Sequence, residues 1–227
     1  MKRFICLLVA LFALYMVLPT YAQQYYVGVV GGVNIAGMDL NDDGLDREIS
    51  TRYLVGIGGV FGFSLGKNLF LQLEPMYLQK GGVMEQYAPS PDLFIKSSFL
   101  EVPLFLKITF GENIRPYILA GPTVGFLLDS EVKGEISGLT FKADLKNILK
   151  RIDFGIGLGA GVSFSLGKSS VFLEGRYTFG LSNINKGGTV EFESGSIAIT
   201  DEIEEHDELS TKGFQIMIGF TFPIGAK

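Results

Sequence analysis

The sequence predicts an all-β protein: an eight-stranded antiparallel up-and-down β-barrel that spans a membrane. Bulky apolar residues alternate with small or polar ones in eight segments, and the connections between these segments are alternately short and long. No apolar run after residue 22 is long enough for a membrane helix, although the chain is 47% hydrophobic and only 19% charged. Because open sheet edges cannot lie in lipid, these observations together favour a closed transmembrane barrel.

The first 22 residues have the features of a secretory signal peptide. A basic start is followed by an apolar core and by Thr20-Tyr21-Ala22, a small-x-small cleavage pattern. The alternative is a membrane anchor, for which the apolar run is short. We therefore expect cleavage after residue 22 and a barrel domain over residues 23–227. The only cysteine, Cys6, lies in the signal segment, so the mature chain is expected to contain no disulfide.

Eight segments predict the strands of the barrel. Each is close to, or longer than, the roughly 9 to 11 residues that a tilted strand needs to cross a bilayer. The predicted strands cover residues 25–35, 52–65, 69–80, 98–110, 114–128, 151–166, 170–181 and 212–224.

The connections between the predicted strands form two classes. Three are tight turns of similar composition, at residues 66–68, 111–113 and 167–169. The other four are long and polar, at residues 36–51, 81–97, 129–150 and 182–211. Short turns on one side and long loops on the other are typical of outer-membrane barrels, so we predict periplasmic turns and extracellular loops.

The glycine-rich segment "GIGLGAGVSFSLG", residues 155–167, indicates which face of the sheet points outward. Gly155-x-Gly157-x-x-Ala160 formally fits a dinucleotide fingerprint, but the alternation runs on without a helix signal and predicts a strand. Bulky Phe and Ile rows would overfill the lumen of an eight-stranded barrel. We therefore predict that these rows face lipid and that the glycines leave space for larger polar side chains in the lumen.

A set of polar side chains is predicted to face this lumen. Four basic and four acidic residues balance, which favours cross-strand ion pairs because an unpaired buried charge is costly. A binding site or a proton path is the functional alternative. We expect Arg176 to pair with Asp153 or with a carboxylate on the third or fourth strand. The predicted lumen residues are Gln72, Glu74, Lys80, Glu101, Lys107, Arg115, Asp153, Glu174, Arg176 and Gln215.

Three segments resemble a known family. They are "FLEVPLFLKITFGENIRPYILAGPTVGFLL" (99–128), "IDFGIGLGAGVSF" (152–164) and "LEGRYTFGLSNI" (173–184). These segments are similar to the PorT-like small outer-membrane β-barrels of Bacteroidetes, and the resemblance covers essentially the mature chain. It implies an outer-membrane location, and the family takes its name from a member involved in protein secretion. The hallmark positions are Glu101, Pro103, Asp153, Arg176 and Tyr177, and the resemblance assigns none of them a catalytic role.

Motifs for catalysis or metal binding are weak. The single histidine, His206, lies in an acidic segment, so we interpret it as a solvated loop residue and not as a catalytic base. Residues 39–44, "DLNDDG", resemble half of a calcium-binding loop, but its twelfth position is Ser50 instead of glutamate, so we predict an ordinary turn. We therefore predict no enzyme activity, no cofactor, and no catalytic, cofactor-binding or metal-binding residues.

The charge distribution limits the partners. Without Lys2 and Arg3, 17 basic residues remain against 24 acidic ones, a net charge of −7, which excludes nucleic acid. The acidic loop 182–211 could instead recruit divalent cations or a basic partner. We expect a structural or accessory outer-membrane component, in contact with lipid and with envelope or secretion proteins through its loops. The alternatives are a binding module for a small hydrophobic or surface ligand, and an outer-membrane enzyme, which the histidine count opposes.

Overall fold

The computed structural model describes residues 25–42, 45–84, 93–136, 139–194, 197–203 and 208–224. Among these residues no helix is long and apolar enough to cross a membrane. The predicted signal peptide and its cleavage site lie outside the described residues. Within them the strands are β1 (Tyr25–Asp42), β2 (Leu45–Ser64), β3 (Leu69–Leu73), β4 (Met76–Met84), β5 (Leu93–Thr109), β6 (Ile114–Ile136), β7 (Leu139–Asp144), β8 (Ile152–Leu166), β9 (Ser169–Gly180), β10 (Gly188–Ser194), β11 (Ile197–Ile203) and β12 (Glu208–Ile224).

The strand pairings close into a ring. β1 pairs with β2 and β12, and the ring continues through β9, β8, β6 and β5, always antiparallel. β3 and β4 together complete it between β2 and β5. They are two parts of one predicted strand, interrupted at Glu74 and Pro75, because proline cannot donate a ladder hydrogen bond. The predicted eight-stranded antiparallel barrel is confirmed.

The barrel has two unlike ends, which we call the turn end and the loop end. The turn end carries the three predicted tight turns, together with the start of β1 and the end of β12. Gly111 has a φ of 80° and Gly167 a φ of 66°, in the left-handed region that glycine adopts readily. The prediction of these hairpin turns is confirmed.

At the loop end, long segments connect the strands as predicted, but the structure pairs much of their length as β-strand. β1 and β2 remain paired as far as Asp42 and Leu45, and β5 pairs with β6 up to Gly134. β7, β10 and β11 continue the sheet beside β6. The ladder consists of backbone hydrogen bonds, so it continues where the side-chain alternation that marks a strand in the sequence has faded.

The predicted orientation of the two faces is confirmed. The bulky rows of β2, β8 and β12 point outward, with Tyr53 76% exposed, Ile57 66% and Phe154 53%. Inward positions on the same strands are buried or occupied by glycine. In water such a continuous apolar surface would be unfavourable, whereas in a bilayer it is the surface that contacts lipid.

The glycines of β8 make room for side chains from other strands. A β-carbon on Gly157 would lie 2.7 Å from the Phe105 ring, and one on Gly161 would lie 2.5 Å from the Tyr117 ring. Sequence analysis predicted that this space is used by polar groups, but aromatic rings use it too. The lumen therefore holds an apolar core beside its charges, formed by Val30, Val60, Met76, Leu78, Phe105, Tyr117, Leu119, Phe172 and Met217.

A second apolar core lies at the loop end. We call it the loop-end cluster: Ile95, Phe99, Leu127, Val132, Ala143, Leu145, Ile148, Leu149, Ile184 and Val190. Backbone hydrogen bonds tie its connecting segments together, from Lys150 N to Ile184 O at 2.7 Å and from Lys186 N to Ile148 O at 2.8 Å. The loop end is therefore a folded structure with its own core.

Candidate functional site

The alternation along the strands brings the predicted lumen residues to the inside of the barrel. Nine of the ten are buried, and Arg115 is half-buried. They form three layers along the barrel axis: one beneath the loop-end cluster, one at the centre and one at the turn end. The inward placement follows from the two-residue period of a strand, but which residues pair within a layer depends on strand register.

The layer beneath the loop-end cluster is built around Lys80 on β4. Its Nζ lies 2.5 Å from Glu101 Oε2 and 3.0 Å from Asp153 Oδ2. Asp153 also accepts hydrogen bonds from the Ser182 and Thr211 hydroxyls, each at 2.9 Å. We call these residues the Lys80 layer. One ammonium thus lies between two carboxylates, and Asp153 has two further hydroxyl donors, as expected for charges removed from water.

The Lys80 layer and the loop-end cluster are in direct contact. Lys80 Nζ lies 5.1 Å from the centre of the Phe99 ring, which belongs to the cluster. Phe99 is also the inward residue of β5 that precedes Glu101 in the alternation. Apolar side chains therefore cover the ion pairs on the side of the loop end.

The central layer is built around Arg176 on β9, which is 1% exposed. Its Nη1 lies 2.5 Å from Glu74 Oε2 and 3.4 Å from Glu174 Oε1. Its Nε donates to Gln215 Oε1 at 2.6 Å, and its Nη2 contacts Met76 Sδ at 3.3 Å. We call Arg176, Glu74 and Glu174 the Arg176 layer.

Polar groups surround the two carboxylates of the Arg176 layer. Gln72 Nε2 donates to Glu74, and the Tyr26 hydroxyl donates to Gln72 Oε1 at 2.5 Å. The Tyr117 hydroxyl donates to Glu174 Oε2 at 2.9 Å. Both tyrosines are absent from the predicted lumen residues, although their inward position in the strand alternation is the signal that identifies them.

Arg176 pairs with Glu74, a carboxylate on the third predicted strand. This confirms one of the two predicted options; the other, Asp153, is wrong. On β9, Arg176 lies opposite Gly159 of β8, six residues from Asp153. At about 3.3 Å per residue, this places the two side chains roughly 20 Å apart along the strand, out of contact. Glu74 instead reaches Arg176 from across the narrow lumen.

The prediction of ion pairs is wrong for Lys107. Among the described residues it has no carboxylate within ion-pair distance. Its Nζ donates to Gln72 Oε1 at 3.1 Å and lies 3.8 Å from the centre of the Tyr117 ring, with the Tyr26 and Phe172 rings at 5.8 and 5.5 Å. Aromatic faces carry negative charge density, so they stabilise the ammonium where sequence analysis expected a carboxylate.

The other sequence motifs add no site within the described residues. Residues 155–160 lie within β8, so no helix begins on the glycines. His206, Asp43 and Gly44 lie outside the described residues. The described part of the chain holds no group of three or more His, Cys, Asp or Glu residues placed to bind a metal ion.

Comparison with known proteins agrees with this architecture. Residues 21–186 match a family model described as "Outer membrane protein beta-barrel domain". A major outer membrane protein from Thermus thermophilus is 9% identical, with 90% of this chain and 100% of that chain covered and a TM-score of 0.56. OprG from Pseudomonas aeruginosa is 12% identical, with coverages of 90% and 97% and a TM-score of 0.52. At these identities the similarity shows a shared fold. No curated protein sequence matches the chain.

Proposed function

The chain belongs to the family of outer membrane protein β-barrel domains, and on that premise we propose that it is a non-enzymatic outer-membrane component that acts through its loop end. The turn end faces the periplasm and the loop end faces outward, as is usual for barrels with short turns and long outer segments. The observation that carries the proposal is a lumen whose centre is filled by side chains, below a folded loop end.

The packed centre of the lumen favours an accessory role for the protein over the role of a pore. Phe105, Arg176 and Gln215 are almost fully buried there, and ion pairs join strands from opposite walls. An eight-stranded interior is just wide enough for side chains to fill it. Purified protein in planar bilayers should therefore show no large, steady single-channel currents. Such currents would contradict the proposal and would require a wider assembly.

The loop end supports contacts with other proteins. Its paired strands and its apolar core hold an outer surface in a fixed shape, which reduces the entropy cost of binding. The segment 182–211 adds acidic charge, which favours a partner with a basic surface. The resemblance to PorT-like barrels of Bacteroidetes favours an envelope or secretion protein as that partner.

Affinity purification tests this function. The tagged protein is crosslinked in intact cells, purified from outer membranes and analysed by mass spectrometry. A loop-end variant replaces Glu191, Glu193 and Glu202 with Gln, and Glu112→Gln at the turn end is the matched control. We expect an envelope protein to co-purify with the wild-type and control chains and to be lost from the loop-end variant.

Two results would refute the proposed partner. One is equal recovery of the co-purified protein by all three chains. The other is the absence of any envelope protein enriched over an unrelated outer-membrane barrel of similar size. The export step is tested separately: if residues 1–22 are a cleaved signal peptide, the intact mass of the purified chain should correspond to residues 23–227.

A further inference from the structure

A cavity opens into the lumen at the turn end. Its volume is about 290 Å³, and residues from β1, β3, β5, β6, β8, β9 and β12 line it. The basic side chains among them are Lys107, Arg115 and Lys168, and no carboxylate lines it among the described residues. The cavity is thus a positively charged recess at the periplasmic mouth of the barrel.

The charge of this recess is not cancelled from within. The central carboxylates Glu74 and Glu174 contact Arg176, and among the described residues neither Lys107 nor Arg115 has a carboxylate within ion-pair distance. In the described structure Arg115 has no ion-pair partner, and its Nη2 contacts the Ser170 hydroxyl at 3.1 Å. A half-buried charge attracts an anion more strongly than a fully exposed charge does, because its surroundings are less polarisable than bulk water.

Hydrogen-bonding groups of the recess also have free capacity. Arg115 Nε is buried and has no partner among the described residues, which is costly for a charged donor. The Lys107 ammonium has three donor hydrogens, one of which is used by Gln72. Hydroxyl groups of Thr109, Ser163, Ser165, Ser170 and Thr221 complete the lining.

We propose that this periplasmic recess is a binding site for a small phosphate-type oxyanion. A guanidinium group matches the geometry of phosphate and accepts no hydrogen bonds itself, so an oxyanion suits Arg115. The ammonium of Lys107 and the surrounding hydroxyls supply further donors to the same ligand. The volume suits inorganic phosphate or the phosphate head of a larger molecule that enters from the periplasm.

Binding is measured by calorimetry on the full mature chain, in a detergent without a phosphate group such as octyl glucoside. The probes are sodium phosphate, glycerol phosphate as a lipid headgroup without acyl chains, and sodium chloride at the same ionic strength. We expect saturable binding of one or both phosphate probes and none of chloride. Tighter binding of glycerol phosphate would identify a headgroup as the ligand, and tighter binding of sodium phosphate would identify the free ion.

Arg115→Gln tests the assignment, with Lys67→Gln as the control, because Lys67 is a turn-end cation that does not line the recess. Loss of a charge-assisted hydrogen bond should weaken phosphate binding by about tenfold or more in Arg115→Gln. The control should bind within about twofold of the wild type, because Lys67 does not line the recess and an exposed charge outside it is largely screened by salt. Lys168→Gln provides a second variant should Arg115→Gln fail to fold.

The proposal would be overturned by the absence of saturable binding of both phosphate probes to folded wild-type protein. It would also be overturned if the recess variants and Lys67→Gln bound phosphate equally well. Neither result would bear on the proposed contacts of the loop end, since those are measured by co-purification from cells.

Discussion

The two ends of the lumen differ in the groups that contact their basic side chains. Near the loop end, Lys80 contacts two carboxylates beneath a cover of apolar side chains. At the turn end, Arg115 contacts a serine hydroxyl at the edge of an open cavity and no carboxylate among the described residues. A charge that is closed off from water needs an opposite charge, whereas one beside an opening can be solvated by water or by an anion. Access to solvent therefore separates structural charges from charges that are available for binding.

The largest expected loss of stability follows a substitution in the Arg176 layer. Arg176→Met leaves Glu74 and Glu174 without their shared cation, and removing one partner of a buried pair costs about 3 to 5 kcal/mol. The temperature at which the barrel loses its heat-modifiable gel mobility should fall clearly. Adding Glu74→Gln should restore part of this loss, because it removes one of the unpaired carboxylates. An unchanged melting temperature would refute a structural role for this layer.

A substitution in the Lys80 layer should lower the stability of the barrel somewhat less. Lys80→Met leaves Glu101 and Asp153 unpaired, but Asp153 keeps its two hydroxyl donors. We expect a loss of about 3 kcal/mol, at the low end of the range for buried pairs. Arg115→Met at the turn end is the comparison and should cost less than about 1 kcal/mol, as for a solvent-accessible charge. Equal losses in the two variants would remove the distinction between the two ends.

Packing between the layers can be tested at a glycine. A β-carbon added by Gly161→Ala would lie 2.5 Å from the Tyr117 ring and 2.6 Å from Leu173 O. Overpacking of this kind costs about 1 to 3 kcal/mol in free energy of unfolding. Gly175→Ala is the matched control, since its β-carbon would make only an ordinary contact, 3.4 Å from Phe214. Heat-modifiability should separate the two variants, and equal stability would mean that the lumen has spare room at Tyr117.

The smallest effect is expected for an exposed pair on the loop-end part of β6. Lys133 Nζ lies 2.7 Å from Glu131 Oε1, and this hydrogen bond lowers the pKa of the glutamate. A lowered pKa stabilises the folded state above the usual glutamate range, and the contribution is lost as the pH falls through the folded-state value. Both side chains are about one-third or more exposed, so Lys133→Met should cost less than about 1 kcal/mol at neutral pH. A loss as large as that of Lys80→Met would show that burial does not govern these pairs.

The eight strands of the barrel wall, the direction of each face and the charged residues of the lumen can be predicted from the sequence alone. These features follow from the two-residue period of a strand, which is local and needs no knowledge of the partner strands. The sequence also identifies the glycines of β8 as positions that leave space. It does not predict the extension of β1, β2 and β6, because paired backbone at the loop end does not require alternating side chains.

Which charges meet depends on the tertiary structure. Arg176 and Glu74 are 102 residues apart in the chain, and Lys80 and Asp153 are 73 apart. Their contacts depend on strand register and on the closure of the barrel across a narrow lumen, neither of which is encoded in a local pattern. The same holds for Arg115: the sequence places it inward, but its lack of a carboxylate partner among the described residues arises from its position along the barrel axis, at the turn end where the lumen opens.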